Sequence, residues 1–191
     1  MINLGYNHIV MNRIKPLWVG SIFLTILLFF LCACSTMTGN KTPSTQAGTG
    51  ATAMENQIAQ AVFQAINQSR AANGLPPLKW STALANSARL HDLTMQAANT
   101  LSHQLPGEAA FGDRERQQGV NWSWAAENIG ETSDLTNNGA LGLHRAMMSE
   151  QPPNDGHRQN ILTTRGNIAG VAILIDQQHG ELWLTEDFAQ V

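Results

Sequence analysis

The chain has 191 residues and a formal net charge of −3, with no basic run beyond Lys41, so the cationic footprint that nucleic-acid binding requires is missing. Both cysteines, Cys32 and Cys34, precede the globular part, which must therefore be held by packing without disulfides. From residue 54 onward the length suits one hydrophobic core, and one monomeric domain is expected.

Residues 17–33 run LWVGSIFLTILLFFLCA and follow Arg13 and Lys15, the parts of an export signal. A membrane span is the competing reading, but it needs roughly 20 apolar residues, and this run is short and lacks a positive stop-transfer flank. Leu31-Cys32-Ala33-Cys34 resembles a bacterial lipobox, with Leu at −3, a small residue at −1 and the cysteine at +1. Residues 1–33 are therefore expected to be cleaved and Cys34 to carry lipid. Several acyl chains would hold it, at about 0.8 kcal/mol per buried methylene. Modification at Cys32 would place the large Leu31 at −1. Ser35, rather than Asp, points to the outer membrane in a cell that has one. Met11 opens a complete signal of its own, so translation starts at Met1 or Met11. Without the leader, nine basic residues face fourteen acidic ones, a net charge near −5.

Residues 35–53, STMTGNKTPSTQAGTGATA, lack the apolar residues to fold and read as a spacer, which coil scaling makes roughly 25 Å long. A helix follows, with Ile58, Ala61, Val62, Ala65 and Ile66 on one face, ended by Gly74, Pro76 and Pro77. Ser81 is expected to cap a second helix whose stripe holds Leu84, Ala88, His91 and Met95. His91 on that stripe reads as a packed, hydrogen-bonded core histidine. A short helix is expected over 111–119, a strand over 122–130, and a helix over 139–149 through Leu141, His144 and Met148. Asp155 would cap a turn from His157 to Ile161. Two β-rich runs, Asn167–Asp176 and Glu181–Ala189, close the chain around the hairpin loop 177–180. Helices flanking a small antiparallel sheet make an α+β sandwich.

No nucleotide fingerprint, P-loop, nucleophile elbow or HExxH is present. The remaining chemistry lies in separated histidines and carboxylates: His103, Glu127, Glu150 and His157. Their surroundings carry a resemblance. Asn67, Arg70, Leu75, Leu78, Trp80, Leu84, Ala88, Met95 and Ser102-His103 follow the bacterial CAP pattern. So do Glu127-Asn128-Ile129, the run Gly156-His157-Arg158-Gln159-Asn160-Ile161-Leu162, and Trp183 to Phe188. The chain thus resembles, over residues 58–190, the superfamily of cysteine-rich secretory proteins, antigen 5 and pathogenesis-related 1 proteins. The resemblance implies an α-β-α sandwich with a central cleft holding two histidines and acidic residues. His103 matches the first histidine, Glu127 the ENI glutamate and His157 the GH histidine. The stretch MMSEQPPND is longer than the common bacterial version, so Glu150 is only the nearest candidate for the second glutamate.

Two neutral imidazoles with a carboxylate suit a divalent metal such as zinc, with Glu127 as third ligand or as an orienting group. A glutamate beside a histidine could equally orient a general base. The plain alternative is that the histidines hydrogen-bond across the cleft and hold it together. Asn128 and Asn160 read as satisfying backbone groups. His144 could face the same cleft, whereas His179 in the hairpin loop is expected to be dispensable. The leading expectation is an anchored extracytoplasmic module binding a metal and, as some eukaryotic relatives do, a small apolar ligand. The alternative is a hydrolase of peptide or cell-wall material that activates water. A structural role with envelope partners is the third.

Overall fold

A computed structural model describes residues 8–11, by their backbone, and 50–191. The lipobox, Cys34 and most of the spacer lie outside the described residues. In chain order the elements are β1 (His8–Met11), α1 (Ala53–Ala72), β2 (Lys79–Trp80), α2 (Thr82–Ala98), α3 (Phe111–Gln117), β3 (Trp124–Thr132), α4 (Asn137–Ser149), α5 (Gly156–Ile161), β4 (Ile168–Asp176) and β5 (Glu181–Gln190).

Helix α1 starts earlier than its apolar stripe suggests. Thr52 and Glu55 form a capping box: the Thr52 hydroxyl accepts from the Glu55 amide (3.1 Å), and the Glu55 carboxylate accepts from the Thr52 amide (2.7 Å). Ser81 caps α2 as expected, its hydroxyl accepting from Leu84 N at 3.3 Å. Asp155, in contrast, makes no cap hydrogen bond to α5 and instead accepts from the Gln159 carboxamide at 2.7 Å.

The sheet order is β1-β3-β5-β4-β2. Its centre, β3-β5-β4, is antiparallel as expected, and the hairpin β4–β5 pairs from Ile168↔Ala189 to Asp176↔Glu181. Two parallel flanks make the whole sheet mixed. β2 meets β4 through Lys79↔Ile168 and Trp80↔Ala169, a ladder too short to leave a period in the sequence. β1 lies within the stretch assigned to the export signal and pairs with Ile129–Thr132.

Helices α1, α4 and α5 cover one face of the sheet, where Val62, Ile66, Leu143, Met147 and Ile161 pack on Val171, Leu184 and Phe188. Helices α2 and α3 cover the other, with Met95 against Ile129, Leu174 and Trp183, and Leu84 and Phe111 against Ala125 and Ala189. The three-layer α-β-α arrangement is thus present. At Gly170 the α2 backbone lies so close that a Cβ would overlap the Ala85 nitrogen, and only glycine permits that approach.

Beyond β2 the outward edge of β4 has no strand partner among the described residues, and side chains replace one. Arg89 donates to Ile173 O at 2.6 Å, and Glu55 accepts from Ile175 N at 2.8 Å. The two also pair with each other at 3.2 Å. Arg70 plays a similar part elsewhere. Fully buried, it donates to the carbonyls of Pro76, Ile161 and Thr163 and ties α1 to the end of α5.

Candidate functional site

The β3–β5 register sets Glu127 opposite Asp187 and Asn128 opposite Glu186, four polar residues in the middle of buried strands. Strand alternation sends Glu127 and Asp187 to the α2–α3 face and Asn128 and Glu186 to the α4–α5 face. The site therefore straddles the sheet in two halves.

In the first half, His103 lies in the loop between α2 and α3, with its Nδ1 2.8 Å from Glu127 Oε1. The other carboxylate oxygen of Glu127 accepts from Arg114 of α3 at 2.8 Å, and the same guanidinium reaches His103 O at 3.3 Å. Behind them His91 is fully buried, its Nδ1 2.7 Å from Glu108 Oε1 and its Nε2 3.8 Å from Glu127 Oε1. It is the packed, hydrogen-bonded histidine the stripe implied, and it also backs the site. Burial alone would raise the Glu127 carboxyl; the hydrogen bond with His103 and the nearby His91 and Arg114 outweigh burial and hold it below its ordinary value. Glu127 is thus held as a carboxylate, with both oxygens engaged.

In the second half, Glu150 ends α4, and its carboxylate serves the start of α5. Oε2 accepts from His157 N (3.0 Å) and Arg158 N (3.4 Å), while Oε1 stands 2.5 Å from His157 Nδ1. Glu150 does for α5 what Asp155 was expected to do. The longer stretch MMSEQPPND accordingly still brings a carboxylate to the second histidine.

Two asparagines join the halves across β3. Asn160 donates to Asn128 Oδ1 (2.9 Å) and Glu127 O (3.5 Å), and Asn128 donates to His157 O (3.3 Å) and Glu186 Oε2 (2.9 Å). They satisfy backbone carbonyls, as expected, and each other as well. His144 sits on the α1–α4 side, its Nε2 3.0 Å from Ser69 Oγ and its Nδ1 3.7 Å from Glu186 Oε1. It belongs to the polar network without joining either histidine–glutamate pair. His179 is exposed and bonds Asp176 in the hairpin turn, far along the sheet from Glu127.

No sequence motif assigns a role to Arg114, Glu115, Asp187 and Asp92, all buried around Glu127 or beside it, or to the half-buried Glu108. A signal existed in Thr185-Glu186-Asp187, three polar residues inside an otherwise apolar strand. The Asp92 carboxylate accepts from Thr185 Oγ1 at 2.6 Å, while among the described residues neither oxygen of Glu115 or Asp187 finds a side-chain or backbone donor. Among the described residues no three His, Cys, Asp or Glu side chains converge as a ready metal-ligand set.

The family model of the cysteine-rich secretory proteins, the CAP domain, matches residues 63–188, well over half of the chain. The chain belongs to the CAP family. The chain is 28% identical over 155 residues to the Bacillus subtilis protein YkwD, covering 79% of this chain and 56% of that one. This chain therefore spans little more than half of that relative. Among solved structures, it superposes on an extracellular SCP-domain protein of Bacillus anthracis with a TM-score of 0.61 at 26% identity, covering 72% of this chain and 41% of that one. An outer surface protein of Borrelia burgdorferi shares the fold at 15% identity, with a TM-score of 0.60, over 70% of this chain and 92% of that one. The α-β-α reading of the CAP fold thus stands.

Proposed function

We propose that this protein is a membrane-anchored, extracytoplasmic CAP domain whose cleft holds a divalent metal through His103 and His157. The observation that carries the reading is the pairing of each imidazole with its own carboxylate. Nδ1 of His103 meets Glu127, and Nδ1 of His157 meets Glu150. A carboxylate at Nδ1 makes that nitrogen the N–H donor and gives Nε2 the lone pair, the arrangement that orients histidines toward metals. Of the two parts open to Glu127, its geometry favours the orienting one, because both its oxygens are spent on His103 and Arg114. The donor types fit zinc or a similar ion. With only two protein ligands, the remaining positions fall to solvent or to a bound molecule, and the ion should exchange readily. When bound, it would polarise an oxygen ligand.

Calorimetric titration of the purified protein with zinc tests this. His103→Ala and His157→Ala should each remove most of the affinity, and the double variant should lose little more, since the two ligands act as one unit. Affinity should fall on acidification, because protons compete for the imidazole nitrogen. If the wild type takes up no metal while both variants lose thermal stability, the pairs only hold the cleft together. If metal binds but peptide and cell-wall material stay intact, the hydrolase alternative falls.

Among the described residues no helix is long and apolar enough to cross a membrane. The support for anchoring is Leu31-Cys32-Ala33-Cys34 at the end of the short apolar run, and the extracellular and outer-surface relatives agree with an export route. Metabolic labelling with a fatty-acid analogue should mark the protein, and Cys34→Ala should abolish the mark. Label retained in that variant would refute modification at Cys34.

A further inference from the structure

On the opposite side of β5 from the histidine–glutamate pairs, α1 and α2 diverge above the outward edge of β4. They leave a cavity of about 450 Å³ floored by Val171–Ile173. That volume lies within the range of small-molecule sites, about 300–1,000 Å³.

The walls state what could fill it. The charged groups there are Glu55 and Arg89, and they neutralise each other at 3.2 Å and 3.4 Å while also bonding the β4 edge. An ion entering would lose to one what it gained from the other. Around the opening stand the exposed carboxamides of Gln60 and Asn86, and a carboxamide carries a donor and an acceptor side by side. Trp80, half-buried, forms one side and is held by Phe63, ring centroids 5.2 Å apart at 82°. Trp80 is thereby fixed in place, and a rigid aromatic contributes contact area at little entropic cost.

We propose that this cavity binds a neutral sugar ring. The apolar C–H face of a pyranose would lie against Trp80, and its adjacent hydroxyls would pair with Gln60 and Asn86. Such a ring could be free or the end of a glycan chain.

The test uses the full-length protein in a detergent without a sugar headgroup. Saturation-transfer NMR and calorimetry are run with N,N′-diacetylchitobiose, maltose, glucuronate and soluble cell-wall glycan chains. At least one neutral disaccharide should bind saturably and better than glucuronate. Trp80→Ala should weaken it about tenfold, the loss expected for an aromatic contact. Because Trp80→Ala also removes a contact with Phe63, the exposed Asn86→Ala serves as the second variant. It should weaken binding several-fold with an unchanged melting temperature. Competition by the glycan chains would identify a polymer end as the source, and failure to compete a free sugar; either supports the assignment. Absence of saturable binding by every neutral sugar, a preference for glucuronate, or full affinity in Asn86→Ala and Trp80→Ala alike would overturn it.

Discussion

Raising the pH from about 5 to about 9 should destabilise the domain, and Glu115→Gln should remove that residue's share of the loss. Glu115 is fully buried on α3, and neither carboxylate oxygen has a hydrogen-bond partner among the described residues. Burial pushes its carboxyl up to about 9, the neighbouring Glu127 adds to the rise, and Arg114 and Arg116 only partly oppose it. Burial likewise raises Asp187 and Asp92 well above the ordinary range. The sign follows from proton counting. Between the unfolded value near 4.5 and the folded value near 9, the native state keeps a proton that the unfolded chain has released. Stability is therefore full at the acid end and falls by about 1.4 kcal/mol per pH unit for each such group. Urea denaturation at several pH values measures this directly. Glu115→Gln supplies a neutral isostere and should make the profile shallower, with Asp187 and Asp92 keeping part of the slope, and should gain most over the wild type at alkaline pH. If instead the variant is weaker by the same amount at every pH, Glu115 is ionised and serves as a partner of its arginines.

Arg114→Met should cost about 3–5 kcal/mol, the range for breaking a buried ion pair and leaving one charge behind. The guanidinium is buried among Glu127, Glu108 and His103 O, so its removal leaves Glu127 without the cation that helps to keep it ionised. The variant should also weaken zinc uptake, because Glu127 would no longer be fixed for His103. Adding Glu127→Gln removes the stranded charge, so the double variant should recover stability while zinc binding stays impaired. A double variant no more stable than Arg114→Met would show that the arginine acts through packing alone.

How much of this was legible in the sequence depends on the range of the interaction. The helices α1, α2 and α4 declared themselves through apolar spacing because each packs one face on the sheet. The hairpin β4–β5 did so through its turn. β2 escaped because two residues carry no period. β3 begins two residues later than its composition suggests, since Trp122 leaves the ladder to donate to Gly112 O at 3.0 Å. His103, Glu127 and His157 were found through a motif resemblance, which needs no knowledge of contacts. Arg114 and Asp187 were not, because what makes them matter is the meeting of α3, β3 and β5. No local pattern encodes that meeting. Glu150 shows the same limit from the other side: a candidate by position only, it becomes the partner of His157 once the α4–α5 connection is folded.

The Glu55–Arg89 pair along β4 bears on how these molecules coexist. Copies anchored to one membrane, as proposed above, would share a thin layer and collide often, at local concentrations well above those in bulk. In such a layer a bare strand edge would recruit the edge of the next copy and extend into a ribbon. Here the hydrogen-bonding groups at Ile173 and Ile175 already carry an arginine and a glutamate, each anchored in its own helix. A neighbour would have to break an ion pair before it could add a strand. Crowding on a surface can therefore rise without turning proximity into polymerisation at this edge.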